Sequence, residues 1–433
     1  MRWSLLPARI DAIIRFFLYV LIFWLPYSPA VVESCVIICL VLWIFKRSVI
    51  IRQQKSLPSA RKKKFYEYLR GFSPAPSFLN KPIVFFLTFC FISAISSVFW
   101  EQSLRNFLTK TLEWFIVYFL VLEVVHKKKY IYIILILFIV TSLATALDSI
   151  VQFYVTHKDI FLGHSIAPGG RPTAAFKTPN GLGGYLTVAI PAIFAAIFFK
   201  KKSLQYRASI LGIFLFLLWS LALTFSRGAW LGTFLGATLM LLIFFFHRQK
   251  TKLYLSLGSF LIIVFLYILL GLILVDRSDP GLLVRINTIQ WRINIWHDSI
   301  QMIKNNPLFG YGINTYMKLF EVYRTDSAGV NPTYAHNCYI QLAVETGLLG
   351  LFAFLWIIVE LFRKSIIYLD RYWINNYNFT ILAMGLLSGI FAFLVHSFFD
   401  THFYSLQLSV YLWFMIGMHV VILEELKCQN EDR

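Results

Sequence analysis

His336 lies in the run Tyr334-Ala335-His336-Asn337-Cys338-Tyr339, near the end of the one long polar interruption in an otherwise apolar chain. An imidazole titrates near neutrality and can take a proton from a hydroxyl or return one, given a positioned substrate. The residues able to hold an anionic substrate beside it are arginines. Arg227, in Thr224-Phe225-Ser226-Arg227-Gly228-Ala229-Trp230, falls between two apolar runs joined by almost no loop, so its guanidinium lies at membrane depth or just above. An intramembrane cation is costly and faces a cavity or an anionic partner. Three partners are open to Arg227: a ligand phosphate, a carboxylate such as Asp400 or Glu345, or lipid headgroups reached by snorkelling. Arg292 and, about two turns before it, Arg285 could converge with Arg227. Such a set suits a pyrophosphate, because a planar guanidinium binds phosphate oxygens bidentately. Arg171, in Gly169-Gly170-Arg171-Pro172, and Lys177 add positive charge on a separate loop.

The carboxylates on this side include Asp276, Asp279, Asp298, Glu321, Asp326, Glu345 and Asp400, with no Asp-x-Asp and no His/Asp spacing suited to a metal. A reaction without metal or cofactor is expected, with arginine meeting the phosphate charge. His396 and His402 bracket Asp400, which could orient His336 or an arginine. Asn337, Glu345 and Ser226 are further supporting candidates. For His336 itself a plainer reading stands beside the catalytic one: a residue at a helix N-terminus bonded to a neighbouring carbonyl. His297 reads as a helix-surface residue.

The elements that must position these residues are membrane spans. Hydrophobic residues make up 58% of the chain and charged residues 14%, against roughly 25% charged in a soluble domain. Runs near 11–29, 30–46, 82–99, 106–125, 130–155, 180–199, 207–224, 227–246, 253–275, 347–362, 377–398 and 403–423 approach the length of about 20 residues that a bilayer demands. About twelve spans are therefore expected, in one all-α polytopic membrane domain over 1–433. No cleavable signal peptide is expected, since the first run passes straight into the second. With the N-terminus inside, 28 of the 40 basic residues fall on the cytoplasmic side, which places both termini there. The net charge of +19 sits mostly in short juxtamembrane loops and in a basic cytoplasmic linker at 47–81, where anionic lipid is the nearer partner; nucleic acid is not. Of the five cysteines, Cys35, Cys39 and Cys90 fall in or beside spans and Cys428 near the cytoplasmic end, leaving Cys338 outside and no disulfide framework.

The outer side has short turns near 27–30, 100–104, 224–227 and 399–402, a medium loop at 156–179 and a long segment at 276–346, between the ninth and tenth spans. Within the long segment, Arg292 to Lys304 places Ile293, Trp296, Ile300 and Ile303 at helical spacing. The expectation is an amphipathic helix lying on the outer surface or on the other helices. Pro307-Leu308-Phe309-Gly310-Tyr311-Gly312 predicts a tight turn. A second helix starts near 334–337, with His336 in its first turn and Gly347 and Gly350 softening its entry into the membrane.

Together, Ser226-Arg227-Gly228, the Arg292-x-x-x-Trp296 helix followed by Asn306-Pro307-Leu308-Phe309-Gly310-Tyr311-Gly312, and Ala335-His336-Asn337-x-Tyr339-x-Gln341-x-x-x-Glu345-x-Gly347-Leu348-Leu349-Gly350 resemble the O-antigen ligase and polymerase superfamily. Gly170-Arg171-Pro172, Phe176 and Pro179-Asn180 resemble its upstream loop, so the likeness covers roughly 165–400. The resemblance implies a GT-C-like membrane glycosyltransferase of the bacterial inner membrane. It also implies an undecaprenyl-pyrophosphate-linked glycan as donor, a sugar hydroxyl of lipid A-core as acceptor and chemistry on the periplasmic face. The expected reaction is a single inverting displacement with His336 as general base and Arg227 and Arg292 on the leaving pyrophosphate. A polymerase acting on lipid-linked repeats and a protein O-oligosaccharyltransferase share these requirements. A lipid-linked glycan flippase or exporter would need the cations but no base.

Overall fold

The structure is a computed structural model describing residues 6–55, 73–246, 281–325, 334–373 and 376–431. The helices among them are α1 (Leu6–Trp24), α2 (Pro29–Lys55), α3 (Asn80–Ser96), α4 (Trp100–Asn106), α5 (Leu112–Val124), α6 (Lys128–Val151), α7 (Pro179–Ala195), α8 (Leu204–Leu223), α9 (Arg227–Phe246), α10 (Gly281–Asn305), α11 (Tyr316–Tyr323), α12 (Cys338–Tyr372), α13 (Tyr377–His396) and α14 (Leu406–Glu431). Eight of them, α2, α6 to α9 and α12 to α14, are long and apolar enough to cross a membrane. The chain is an all-α polytopic membrane protein, as expected. Of the other expected crossings, 253–275 lies outside the described residues. The remaining three take the form of α1, which carries Arg9, Asp11 and Arg15, the 17-residue α3, and the α4–α5 pair. Residues 100–104, expected as a turn, belong to α4, and the linker expected from 47 is helical to Lys55.

Three helices, α7, α9 and α13, pack backbone to backbone. A Cβ on Gly232 or Gly236 of α9 would meet the carbonyl oxygens of Ala392 or Ser388 on α13 at 2.4 and 2.7 Å. Gly389 of α13 lies just as tightly on the Val188 carbonyl of α7. Lipid chains are as apolar as leucine, so helices inside a bilayer gain little from hydrophobic transfer and associate where small residues permit close approach. Aromatic packing holds α5 on α14, with Phe115 and Trp413 ring centres 4.3 Å apart. Peripheral helices turn apolar side chains such as Ile136 and Val359 outward, as a hydrocarbon surround permits.

Part of the basic excess is neutralised within the protein. Lys46 contacts Asp11 at 2.6 Å and Glu123 at 2.7 Å, and Arg47 reaches the other Glu123 oxygen. Tying three apolar helices through one charge cluster satisfies groups that would otherwise be stranded.

Helix α12 is broken at Gly347, where φ is 70° and ψ 177°. A break in the i to i−4 ladder frees backbone groups that must find other partners. The Pro307–Gly312 turn supplies them: Tyr311 N–H donates to Val344 O at 3.0 Å, Gly312 N–H to Glu345 O at 2.8 Å, and Leu348 N–H to Pro307 O at 2.7 Å. The approach is so close that a Cβ on Gly347 would meet Leu308 O at 2.1 Å, and one on Gly310 would meet Gly347 N at 2.5 Å. The expected tight turn is thus also a splint for the helix that follows. Gly347→Ala adds a left-handed backbone penalty to this clash and should lower stability by at least about 1–3 kcal/mol. Gly212→Ala, at a helical position with nothing within 4 Å, is the control. Melting temperatures of the two purified variants check this, and equal values would refute the splint.

Candidate active site

His336 lies just ahead of helix α12, not in its first turn. Asn337 is the N-cap: its side-chain oxygen accepts from Tyr339 N–H at 2.9 Å and Ile340 N–H at 3.1 Å, a role for which asparagine is among the best residues. His336, immediately before the cap, adopts a left-handed conformation, φ 49°. The Trp291 ring packs against it at 5.1 Å, and Trp296 donates its indole N–H to Ala335 O at 2.9 Å. Helix α10 thus holds the His336 turn from one side. This helix starts at Gly281, so Arg292 falls mid-helix and does not begin it. Its buried stripe is Ile295, Asp298, Ser299 and Met302, while Ile293 and Ile300 are exposed. The apolar spacing alone points to the wrong face, because buried Asp298 and Ser299 are satisfied by Thr325 and by the Tyr316 hydroxyl.

On the other side stands Asp400, in the loop between α13 and α14. Its Oδ1 is 3.4 Å from His336 Nδ1, within ion-pair reach but longer than an aligned hydrogen bond. The same oxygen accepts from Thr401 N–H at 2.7 Å, and Oδ2 accepts from the Asn180 amide. Asn180 in turn accepts at its Oδ1 from the Arg171 guanidinium at 3.2 Å, and Arg171 Nε donates to Thr224 O at 2.7 Å. Burial works to raise the Asp400 carboxyl. His336 beside it, together with the His402 and His396 imidazoles, outweighs burial and holds the group well below the ordinary carboxylate range. An ionised Asp400 next to Nδ1 favours the tautomer with the proton there, which leaves Nε2 as the acceptor.

The loop that carries Asp400 is itself fastened by a buried string. His402 Nε2 meets His396 Nδ1 at 2.9 Å, and His396 Nε2 meets Ser226 Oγ at 3.3 Å. The two rings fit between glycines. A Cβ on Gly184 of α7 would come within 3.2 to 3.3 Å of His402, and one on Gly228 of α9 would lie 3.0 Å from His396. Burial lowers His402 to about 4, with Asp400 opposing. The Cys338 thiol is buried here and donates to Asp400 O at 3.2 Å.

The arginines divide into two kinds. Arg171 is committed to backbone and side-chain acceptors within the protein. Arg227, the first residue of α9, is exposed, and neither Asp400 nor Glu345 serves as its partner among the described residues. Arg292 is half-buried with its Nε unbonded. Its pKa is pushed down chiefly by burial, then raised by Asp400 and lowered by Arg227, so the two guanidinium groups feel each other. Arg227 stands at the N-terminus of α9, where backbone N–H groups add to its positive charge. Arg285 lies on the first turns of α10, but its side chain is outside the described residues.

Glu345 has a structural place. Its carboxylate accepts from Asn314 N–H at 2.8 Å, the Tyr404 hydroxyl at 3.0 Å and Gln341 at 3.2 Å, which fixes the segment after the splinting turn. His336, Asp400 and Asn180 line a cavity of about 520 Å³ together with Tyr334, Tyr404, Thr401 and two lysines, Lys110 and Lys177. Lys110 has no counterpart among the sequence candidates, because a five-residue π-turn, Phe107–Thr111, sets its direction. Such turns leave no trace in hydropathy.

Residues 212–355 match the family model described as O-antigen ligase. The resemblance carried by the motifs is therefore shown over that region, which contains Ser226, Arg227, Arg292, His336 and Glu345 but neither Arg171 nor Asp400. The chain is also similar to a ComP-specific O-oligosaccharyltransferase of Acinetobacter baylyi (strain ATCC 33305 / BD413 / ADP1), at 23% identity over 218 residues. That match covers 49% of this chain and 38% of the relative's length. The matches support a glycosyltransferase-type membrane enzyme of O-antigen ligase-like character.

The buried imidazoles also make a prediction about acid stability. A free histidine protonates near 6.5, whereas folded His402 resists protonation until about 4. Its contribution to stability is whole above 6.5 and is lost as the pH falls from there toward 4. The melting temperature of the parent should drop across that window more steeply than that of His402→Asn. Parallel slopes would show that His402 is not held neutral.

Proposed function

We propose that the protein is an O-antigen ligase, moving a glycan from undecaprenyl pyrophosphate to a sugar hydroxyl of lipid A-core at the periplasmic face of the bacterial inner membrane, with both termini cytoplasmic. The observation that carries this reading is the position of His336: one ring nitrogen faces ionised Asp400, the residue lines a cavity, and Arg292 is near enough to both Asp400 and Arg227 to feel their charges.

The step follows from that arrangement. The acceptor hydroxyl, held in the cavity, gives its proton to His336 Nε2 as its oxygen attacks the anomeric carbon of the donor sugar. The bond from that carbon to the pyrophosphate oxygen breaks, the electron pair leaves with undecaprenyl pyrophosphate, and the anomeric configuration inverts. Asp400 stabilises the imidazolium that forms. Arg227, Arg292 and the N-terminal end of α9 neutralise the charge growing on the leaving group. General-base help is worth about 10²–10⁴-fold. Fixed cations around developing phosphate charge contribute on the order of several kcal/mol more when water is excluded. Arg171 and Asn180 act through Asp400 as positioning residues, and Ser226 through His396.

A protein O-oligosaccharyltransferase is the second reading. It is favoured by the similarity to the Acinetobacter baylyi O-oligosaccharyltransferase and differs only in the acceptor that enters the cavity.

His336→Ala in folded, membrane-inserted protein should reduce transfer by at least 10²-fold, and near-parental activity removes it from the chemistry. Arg227→Lys keeps the charge but loses the fork, so donor KM should rise roughly tenfold; an unchanged value argues against bidentate phosphate binding. A deletion strain tests the acceptor. Loss of a ligase leaves bare core and polymer accumulating on the lipid carrier, whereas normally capped core together with a protein lacking its glycan selects the second reading.

A further inference from the structure

The cavity beside His336 carries charge that the transfer chemistry does not use. Its two carboxylates are already engaged: Asp400 with Asn180, Thr401 and His336, and Glu345 with Asn314, Gln341 and Tyr404. Lys110 and Lys177 also line it, both exposed and without an ion pair or hydrogen bond among the described residues. The donors to the two carboxylates are neutral and leave the carboxylate charge in place, but no carboxylate among the described residues lies within ion-pair reach of either lysine, and the arginines suited to the donor pyrophosphate, Arg227 and Arg292, are not among the lining residues.

The placement of both lysines is built into the fold. Lys110 belongs to the π-turn between α4 and α5, closed by the Leu112 N–H bonding to Phe107 O. Lys177 precedes Thr178, whose hydroxyl caps α7 at Gly181 N–H, and follows the fully buried Phe176. Each lysine has one buried chain neighbour, Thr111 for Lys110 and Phe176 for Lys177, which anchors its stem beside the cavity. The rest of the lining is rich in hydroxyl and aromatic groups, including Thr111, Trp114, Tyr334 and Tyr404, a composition suited to sugar faces and edges. At about 520 Å³, the space falls within the roughly 300–1,000 Å³ typical of small-molecule sites.

We propose that Lys110 and Lys177 form an anion subsite in this cavity, selecting acceptor glycans that bear a phosphate or carboxylate within the same bound sugar unit as the attacked hydroxyl. The inference rests on the reading of the cavity as the acceptor site. Lysine is a compact, hydrated point charge, so the subsite would register the presence of an anion without demanding one geometry, and its strength would fall with ionic strength.

The test uses the full chain in nanodiscs, with lipid A-core as acceptor in three forms: intact, stripped of phosphate with hydrogen fluoride, and reduced at its carboxyl groups. In the Lys110→Gln/Lys177→Gln double variant, KM for intact acceptor should rise about tenfold or more, with kcat and donor KM little changed. The Lys→Arg pair should restore it. Whichever acceptor treatment abolishes the difference between parent and variant identifies the anion. An unchanged acceptor KM, or a rise in donor KM instead, overturns the proposal. A second readout does not require transfer. In His336→Ala protein, intact lipid A-core should protect Lys110 and Lys177 from amine acetylation, read by mass spectrometry, and the stripped form that removes the kinetic difference should not. Protection in a protein whose parent transfers nothing to lipid A-core would retain the subsite while sinking the ligase reading; absence of protection sinks the subsite itself.

Discussion

A carboxylate taken out of water is stable only if donors from the protein replace its hydration, and at Asp400 those donors come from distant parts of the chain. Asn180 reaches it from the start of α7 and Thr401 from its own loop, while His336, on the approach to α12, stands at ion-pair distance. The Cys338 thiol bonds to its backbone carbonyl as well. No one of these elements could be shifted without leaving a buried charge short of a partner. The requirement to satisfy this one group sets the relative height of three helices at the end of the bundle where the candidate chemistry lies.

Backbone contacts support that arrangement from both sides. Helices α7, α9 and α13 meet through glycine, which leaves two slots sized for the His396 and His402 rings, and the rings hold the loop bearing Asp400. On the opposite side, the break in α12 at Gly347 is filled by the Pro307–Gly312 turn, so that α10 and α11 are joined to the membrane bundle by hydrogen bonds as well as by apolar packing. Glu345 draws the next residues of that turn into the same fixture. The site is thereby placed by rigid elements, which suits a reaction that depends on aligning a hydroxyl, an anomeric carbon and a pyrophosphate.

The sequence reveals most where a residue type conflicts with its surroundings. Arg227 and His336 stand out because a cation or a titratable ring is rare in so apolar a chain, and the membrane class follows from run lengths alone. Asp400 is visible for the same reason. Asn180 is far less so, since an uncharged amide in a loop carries no such conflict and its importance arises only from the two ionic neighbours it bridges. The face of α10 is misread because Asp298 and Ser299 are buried with partners, which apolar periodicity cannot register. Lys110 hides in an apolar run because the π-turn that aims it alters the helical register by one residue. The left-handed backbone at His336 is equally silent: Asn337 is a favourable helix cap, but nothing in the local residue types announces the conformation of the residue before it.

The glycine-lined slots have a consequence for modular exchange. The residues that match the ligase family, 212–355, contribute Gly228 and Ser226 to the slots, but Gly183, Gly184, His396, His402, Asn180 and Asp400 all lie outside. A chimera that grafts only the matched region from another protein would bring new helix faces to imidazoles shaped for the old ones. The heritable unit of this site is a set of mutually fitted surfaces scattered over more than half the chain, so transplanting it requires recombination at three places at once.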